Sequence, residues 1–253
     1  MSFLKVENRV VLMVGLTNPM GEAIGIRLGK AGANIVVVGE DSEKVNSVVK
    51  KISDAGAKAE GKAVNIKDEG EVKNTVEEVA QKFGTIDILI NGTDYVNCKS
   101  LNETSVEDWN NSFENNLLPM FLFTKYVVPK MQDKKYGRIV NISDLKYLGF
   151  PGTSNYASAK SGIFGFTRAL ALELAKDQIT VNTVIKGDID LEGKELSEEE
   201  LKKALATIPV QRLGKPEDVA LAVSYFVSDL SSYTTGQMFF VCGGKSIYAS
   251  MSI

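Results

Sequence analysis

Tyr156 and Lys160 are the residues of this chain best suited to moving a proton. They stand four apart in Asn155-Tyr156-Ala157-Ser158-Ala159-Lys160, and on a helix that spacing puts both side chains on one face. The lysine ammonium can then lie near the phenol and favour its phenolate. A phenol with an ordinary pKa of about 10 needs that help to act near neutrality. A second feature binds rather than reacts. Val14-Gly15-Leu16-Thr17-Asn18-Pro19-Met20-Gly21 follows an apolar run and precedes the helical pattern Ala23, Ile24, Leu28. Such a glycine-bearing strand-to-helix turn is where free N–H groups at a helix N-terminus hold a pyrophosphate, with Gly15 and Gly21 as candidate contacts. The same residues also read as plain helix capping, with Asn18 as the cap and Pro19 in first position, an arrangement that needs no ligand.

These residues must be carried by a sheet and its helices. Short β-rich runs, Val10 to Val14, Ile35 to Val38, Ile88 to Ile90, Ile139 to Ile142, Val181 to Ile185 and Met238 to Val241, alternate with longer helical patterns. That alternation implies parallel strands joined by helices. Val72, Val76, Val79 and Phe83 recur at helical steps and predict one face packed on the sheet. Ser197 with Glu200 makes a capping-box pattern ahead of Leu201, and Gly32 sits where a helix should end. The expectation is one doubly wound (Rossmann) α/β domain over residues 1–253, a parallel sheet with helices on both faces.

Composition narrows the function. With 44% hydrophobic and 24% charged residues and a net charge of -3, the chain can build a core and stay soluble, and it lacks the basic face of a nucleic-acid binder. Two cysteines and no histidine support neither a disulfide framework nor a metal site. The sequence lacks both a signal-peptide pattern and a run of about 18 apolar residues, so a cytoplasmic protein that does not span a membrane is expected.

The glycine turn, the Tyr-x-x-x-Lys spacing and the strand Gly137-Arg138-Ile139-Val140-Asn141-Ile142-Ser143 that precedes it occur in the order of the short-chain dehydrogenase/reductase family, which nearly the whole chain resembles. The resemblance implies that Tyr156 exchanges a proton with a substrate oxygen while a nicotinamide gives or takes hydride. It implies too that Lys160 assists, and that Asn116 in Glu114-Asn115-Asn116-Leu117 supports a proton relay. For the family's carbonyl-polarising serine, counting back from Tyr156 selects Ser143, whereas counting forward from Gly137 selects Asp144. Strand register favours Asp144, because strand residues alternate faces and loops absorb deletions. An ionised Asp144 accepts hydrogen bonds but cannot donate one to a developing oxyanion.

Several cofactor positions depart from the family pattern. Pro19 lies over its middle glycine, and proline has no N–H to offer a phosphate. Gly39 takes the usual acidic position after the second strand, leaving Glu40 or Asp41 to reach a ribose, and the acidic residues there disfavour NADP. Asn65 replaces an aspartate near the adenine. Asn91-Gly92-Thr93-Asp94 stands for Asn-Asn-Ala-Gly, and its Asp94 would repel a pyrophosphate in a cleft. Lys186-Gly187 replaces Pro-Gly, and Leu191 falls where a threonine meets the carboxamide. The acidic stretch Asp188, Asp190, Glu192, Glu195 and Glu198 to Glu200 follows and reads as a solvated face.

Three functions are compatible with this pattern. The first is a non-catalytic subunit, with no cofactor of its own, that supports an active paralogous NAD-dependent hydroxyacyl or alcohol dehydrogenase in a mixed oligomer, a tetramer by family resemblance. The second is an active NAD-dependent oxidoreductase using Tyr156, Lys160, Asn116 and Ser143. The third is a module that has kept the cleft for another ligand. The family's interfaces use the helix bearing Tyr156, the helix bearing Asn116 and the C-terminal strand and tail, so retention of an interface helix could by itself preserve Tyr156 and Lys160.

Overall fold

Seven parallel strands are stacked in the order β3-β2-β1-β4-β5-β6-β7 in a computed structural model that describes residues 4–191, 193 and 197–250. The strands are β1 (Val10–Val14), β2 (Asn34–Gly39), β3 (Lys58–Ala63), β4 (Ile88–Asn91), β5 (Gly137–Asp144), β6 (Ile179–Lys186) and β7 (Met238–Val241). The helices are α1 (Pro19–Lys30), α2 (Ser42–Asp54), α3 (Glu69–Phe83), α4 (Val106–Asn116), α5 (Leu118–Lys134), α6 (Ser154–Leu174), α7 (Glu198–Leu205), α8 (Pro216–Val227) and α9 (Lys245–Ser250).

The central strands read as unbroken apolar runs because both of their faces are covered. Val11 and Met13 pack with Ile24 and Leu28 of α1 and with Val219, Val223 and Phe226 of α8. Val10, Leu12 and Val14 point the other way, onto Val72, Val76 and Val79 of α3 and Phe123 and Val127 of α5. The valine spacing in α3 therefore lies on the sheet as its periodicity predicts. Gly32, at φ +92, follows α1, and Ser197 and Glu200 exchange the reciprocal bonds of a capping box at α7.

β3 is a strand that apolar patterning misses. Lys58-Ala-Glu-Gly-Lys-Ala carries no apolar run, because β3 is an edge strand whose residues are exposed or half-buried. The strand order reverses between β1 and β4, and a crevice at the carboxyl ends of such strands is where this architecture places its ligands. Glu192 and Glu195 of the acidic stretch lie outside the described residues. No described helix is long and apolar enough to cross a membrane.

Candidate functional site

At the β1–α1 turn Asn18 takes up the N–H groups that open the helix. Asn18 is extended (φ -145) and its Oδ1 accepts the N–H of Met20 at 3.1 Å and of Gly21 at 3.2 Å. The N–H of Glu22 donates to the Asn18 carbonyl at 3.1 Å, and Pro19 has none to offer. The first turn of α1 thus holds no uncommitted N–H, and the donor set that a pyrophosphate requires is not presented. Gly15 and Gly21 are required by packing whether or not a ligand binds. A Cβ on Gly15, at φ +70, would stand 2.5 Å from Thr93 Cγ2, and one on Gly21 only 1.9 Å from the carbonyl oxygen of Leu16.

The adenosine end of the crevice is similarly occupied by its own residues. A Cβ on Gly39 would meet Thr17 Cγ2 at 2.6 Å, so Thr17 fills the space an acidic side chain would need. Glu40 pairs with Lys67 at 3.4 Å, and Lys67 also donates to Asn115 Oδ1 at 3.0 Å. Asp41 caps α2 by accepting from Glu43 N and Lys44 N. Asn65 is exposed and turned onto its own loop, where its Oδ1 accepts from Lys67 N at 3.1 Å. Asn91 lies in the core: its Nδ2 donates to Asn141 Oδ1 at 2.9 Å, and Asn141 in turn donates to Thr167 Oγ1. These residues do not fit a bound dinucleotide as they stand.

Tyr156 and Lys160 do share a face of α6, with the ammonium 5.4 Å from the centre of the phenol ring. The chemistry expected of that pair is redirected by Asp94. The Tyr156 hydroxyl donates to Asp94 Oδ1 at 2.6 Å, and Lys160 Nζ lies 3.2 Å from the same oxygen while donating to the Thr93 carbonyl at 2.8 Å. Lys186 lies 3.2 Å from Asp94 Oδ2 and also binds Asp144 Oδ2. The Asp94 backbone is open to solvent, but its side chain is only 20% exposed, and those of Lys160 and Lys186 are 1% and 11% exposed.

Electrostatics follow from these contacts. Burial works against the charge on Asp94, but Lys160 and Lys186 outweigh it and hold the carboxyl well below the usual carboxylate range. Burial likewise opposes the charge on Lys186, and Asp94 with Asp144 overcomes it and raises the pKa. Burial prevails at Lys160 and lowers its pKa, although Asp94 pulls the other way. Burial raises Tyr156, and the carboxylates of Asp94 and Asp144 push it further, far above an ordinary phenol. The sequence-based expectation of a lysine-stabilised phenolate is therefore corrected: the nearest acceptor of the Tyr156 proton is a carboxylate, and Tyr156 is a hydrogen-bond donor.

The two counts for the serine also resolve into different placements. Ser143 is fully buried and its hydroxyl donates to the Lys160 carbonyl at 3.3 Å, so it is committed to the backbone of α6. Asp144, one residue on and therefore on the opposite strand face, joins the charged group beside Tyr156. Asn116 uses its amide on the backbone of Tyr95, accepting from its N–H and donating to its carbonyl, both at 2.9 Å. Leu191 is half-buried against the core. Sequence reasoning missed Lys186 as a charge partner and Thr17 as a space-filler. For Lys186 a signal existed, since Asp94, Asp144 and Lys186 bring compensating charges to three adjacent strand ends.

The sequence profile of a family described as enoyl-(acyl carrier protein) reductase matches residues 15–246. The chain is 41% identical, over 97% of each sequence, to the (2S)-[(R)-hydroxy(phenyl)methyl]succinyl-CoA dehydrogenase subunit BbsC of Thauera aromatica. It is 37% identical to subunit BbsD of the same organism, over 96% of this chain and 99% of that one. Identity to the 3-oxoacyl-[acyl-carrier-protein] reductase FabG of Thermotoga maritima is 36%, over 96% of this chain and all (100%) of the other. A solved Burkholderia xenovorans structure, described as a short-chain dehydrogenase/reductase, superposes with a TM-score of 0.90 at 27% identity, covering 96% of this chain and 98% of that one.

Proposed function

The chain belongs to the short-chain dehydrogenase/reductase family, and from that premise we propose that it is a non-catalytic subunit supporting an active, paralogous NAD-dependent hydroxyacyl-CoA or alcohol dehydrogenase in a mixed oligomer. The observation that carries this reading is the first turn of α1, whose amides are absent at Pro19 and committed to Asn18 at Met20, Gly21 and Glu22. Hydride chemistry in this family is supplied by the nicotinamide, and a chain that offers no pyrophosphate cradle has no means of holding it.

Similarity to two proteins named as separate subunits of one dehydrogenase supports both the mixed assembly and the substrate class. On this reading the active partner oxidises an aryl-hydroxyalkyl succinyl-CoA of the kind formed in anaerobic toluene degradation, and this subunit takes no part in the proton transfer. The alternative, an active oxidoreductase, is favoured by one observation, the preserved face shared by Tyr156 and Lys160. On that alternative NAD would be held through Gly15, Gly21, Glu40, Asn65 and Asn91.

Calorimetric titration of the purified chain with NADH and NADPH separates the two, once light scattering has established its oligomeric state. No heat of binding up to roughly 1 mM nucleotide, a free energy weaker than about -4 kcal/mol, is expected. Pro19→Gly should behave the same way, because Asn18, Thr17 and Asp94 remain. A micromolar dissociation constant for the native chain would overturn the proposal. Co-expression with a paralogue of the same genome that keeps the family's motifs intact should yield a complex of fixed stoichiometry, and two separately eluting homo-oligomers would remove the partner from the reading.

A further inference from the structure

Four charges lie in a row of alternating sign across the carboxyl ends of neighbouring strands and the N-terminal part of α6. Lys160 comes from α6, Asp94 from the residues after β4, Lys186 from the end of β6 and Asp144 from the end of β5. Asp94 touches a lysine through each oxygen, at 3.2 Å in both cases, and Lys186 touches a carboxylate on either side. Removing any one member leaves a neighbour buried with an uncompensated charge, which costs more than the intact pair contributes. Two of the four, Lys186 and Asp144, lie in strands whose register pairs them directly.

We propose that Asp94 and Lys186 form an internal bridge that ties the ends of β4, β5, β6 and α6 together without a bound ligand. Asp94 acts in it as a positioning residue that holds Tyr156 as a proton donor, and Lys186 as the counter-charge that keeps Asp94 in place. Every titratable group facing Tyr156 takes part in setting its state. Asp94 accepts its hydrogen bond at 2.6 Å, Asp144 adds a second negative charge, the Cys98 thiol comes from the neighbouring loop, and Lys160 stands over the ring. With Asp94 neutral, two ammonium groups would face a single carboxylate, and the balance around the phenol would turn toward the anion. The bridge is independent of the nucleotide question: a chain that bound NADH could still contain it, and a chain that bound none could lack it.

The test is a double-mutant cycle with Asp94→Asn, Lys186→Met and their combination, read by thermal unfolding and by the tyrosine ring-carbon resonance that disappears in Tyr156→Phe. Each single variant should lose roughly 10 °C in Tm, on the usual scale for breaking a buried pair in a domain of this size. The double variant, which leaves Lys160 facing Asp144 in balance, should lose less than either single variant. In the native chain the Tyr156 resonance should not titrate up to about pH 10.5, whereas in Asp94→Asn, with the nearest carboxylate gone, its titration should begin at a lower pH than in the native chain. Additive losses of Tm, or a Tyr156 resonance unmoved by Asp94→Asn, would overturn the bridge. If Asp94→Asn proves unfolded, the balanced double variant carries the tyrosine measurement, and a Tyr156 as resistant to ionisation there as in the native chain overturns the role given to Asp94.

Discussion

At the β1–α1 turn the crevice is lined by neutral groups: Asn18 holds the helix amides, and Thr17 fills the space beside Gly39. At the ends of β4, β5 and β6 it is lined by Asp94, Asp144, Lys160 and Lys186, which neutralise one another. In both regions the side chains named are engaged with one another, but the energetics differ. The neutral side is a set of short-range contacts that couple only immediate neighbours, whereas the charged side is a network in which each member depends on the others. A single substitution can therefore open a local gap on the first side, but on the second it creates an imbalance felt by all four residues.

The largest expected effect lies on the neutral side. A Cβ at position 21 would stand 1.9 Å from a backbone oxygen, which cannot move as a side-chain tip can. Gly21→Ala should lower unfolding free energy by about 3 kcal/mol or more in urea denaturation. A loss below about 1 kcal/mol would mean that the turn yields easily and that packing does not require the glycine. Gly39→Asp is expected to cost less, about 2 kcal/mol, because it meets a methyl group. Combining it with Thr17→Ala should recover most of that loss, and a double variant no more stable than Gly39→Asp would show that Thr17 is not what excludes a side chain there.

Much of this architecture is legible in the amino-acid sequence. β1 and β4 fall where their apolar runs put them, and the valine stripe of α3 packs as its spacing requires, because buried parallel strands and amphipathic helices write their environment into apolar periodicity. β3 is not legible, since Lys58-Ala-Glu-Gly-Lys-Ala has no apolar run, whereas β7 at the other edge keeps one although it is exposed. At the site, Asn18 and Pro19 announce their capping role through residue type alone. The serine position is harder, because two ways of counting disagree and only the alternation of strand faces separates Ser143, turned to the Lys160 carbonyl, from Asp144 beside Tyr156. Lys186 is visible only as a departure from the family pattern. Its partners come from loops and strands far apart in sequence, and long-range charge pairing has no local periodicity to betray it.

The charged side should also show itself in acid. The folded-state pKa of Asp94 is depressed below its ordinary value of about 3.9, so the unfolded chain binds more protons in that window. Its contribution is fully present above the ordinary carboxylate pKa and is lost as pH falls through the folded value. The native chain should lose about 2 kcal/mol through Asp94 between roughly pH 5 and pH 2, and Asp94→Asn should flatten that limb of the stability curve. Equal acid limbs would place the acid sensitivity elsewhere, among other carboxylates held low by hydrogen bonds such as Asp108 and Asp177.

The smallest effect discriminates best between the two sides. Asn18→Ala removes the cap and should cost about 1 kcal/mol, the usual value for a helix N-cap. It also releases the N–H groups of Met20 and Gly21, and so restores part of a pyrophosphate cradle without touching the charged network. If the network excludes a nucleotide independently, Asn18→Ala should bind NADH no better than the native chain, and only its combination with Asp94→Asn and Lys186→Met should gain affinity. Binding by Asn18→Ala alone would show that the neutral side is the whole barrier, and that the alternating row of charges stabilises the strand ends without opposing a cofactor.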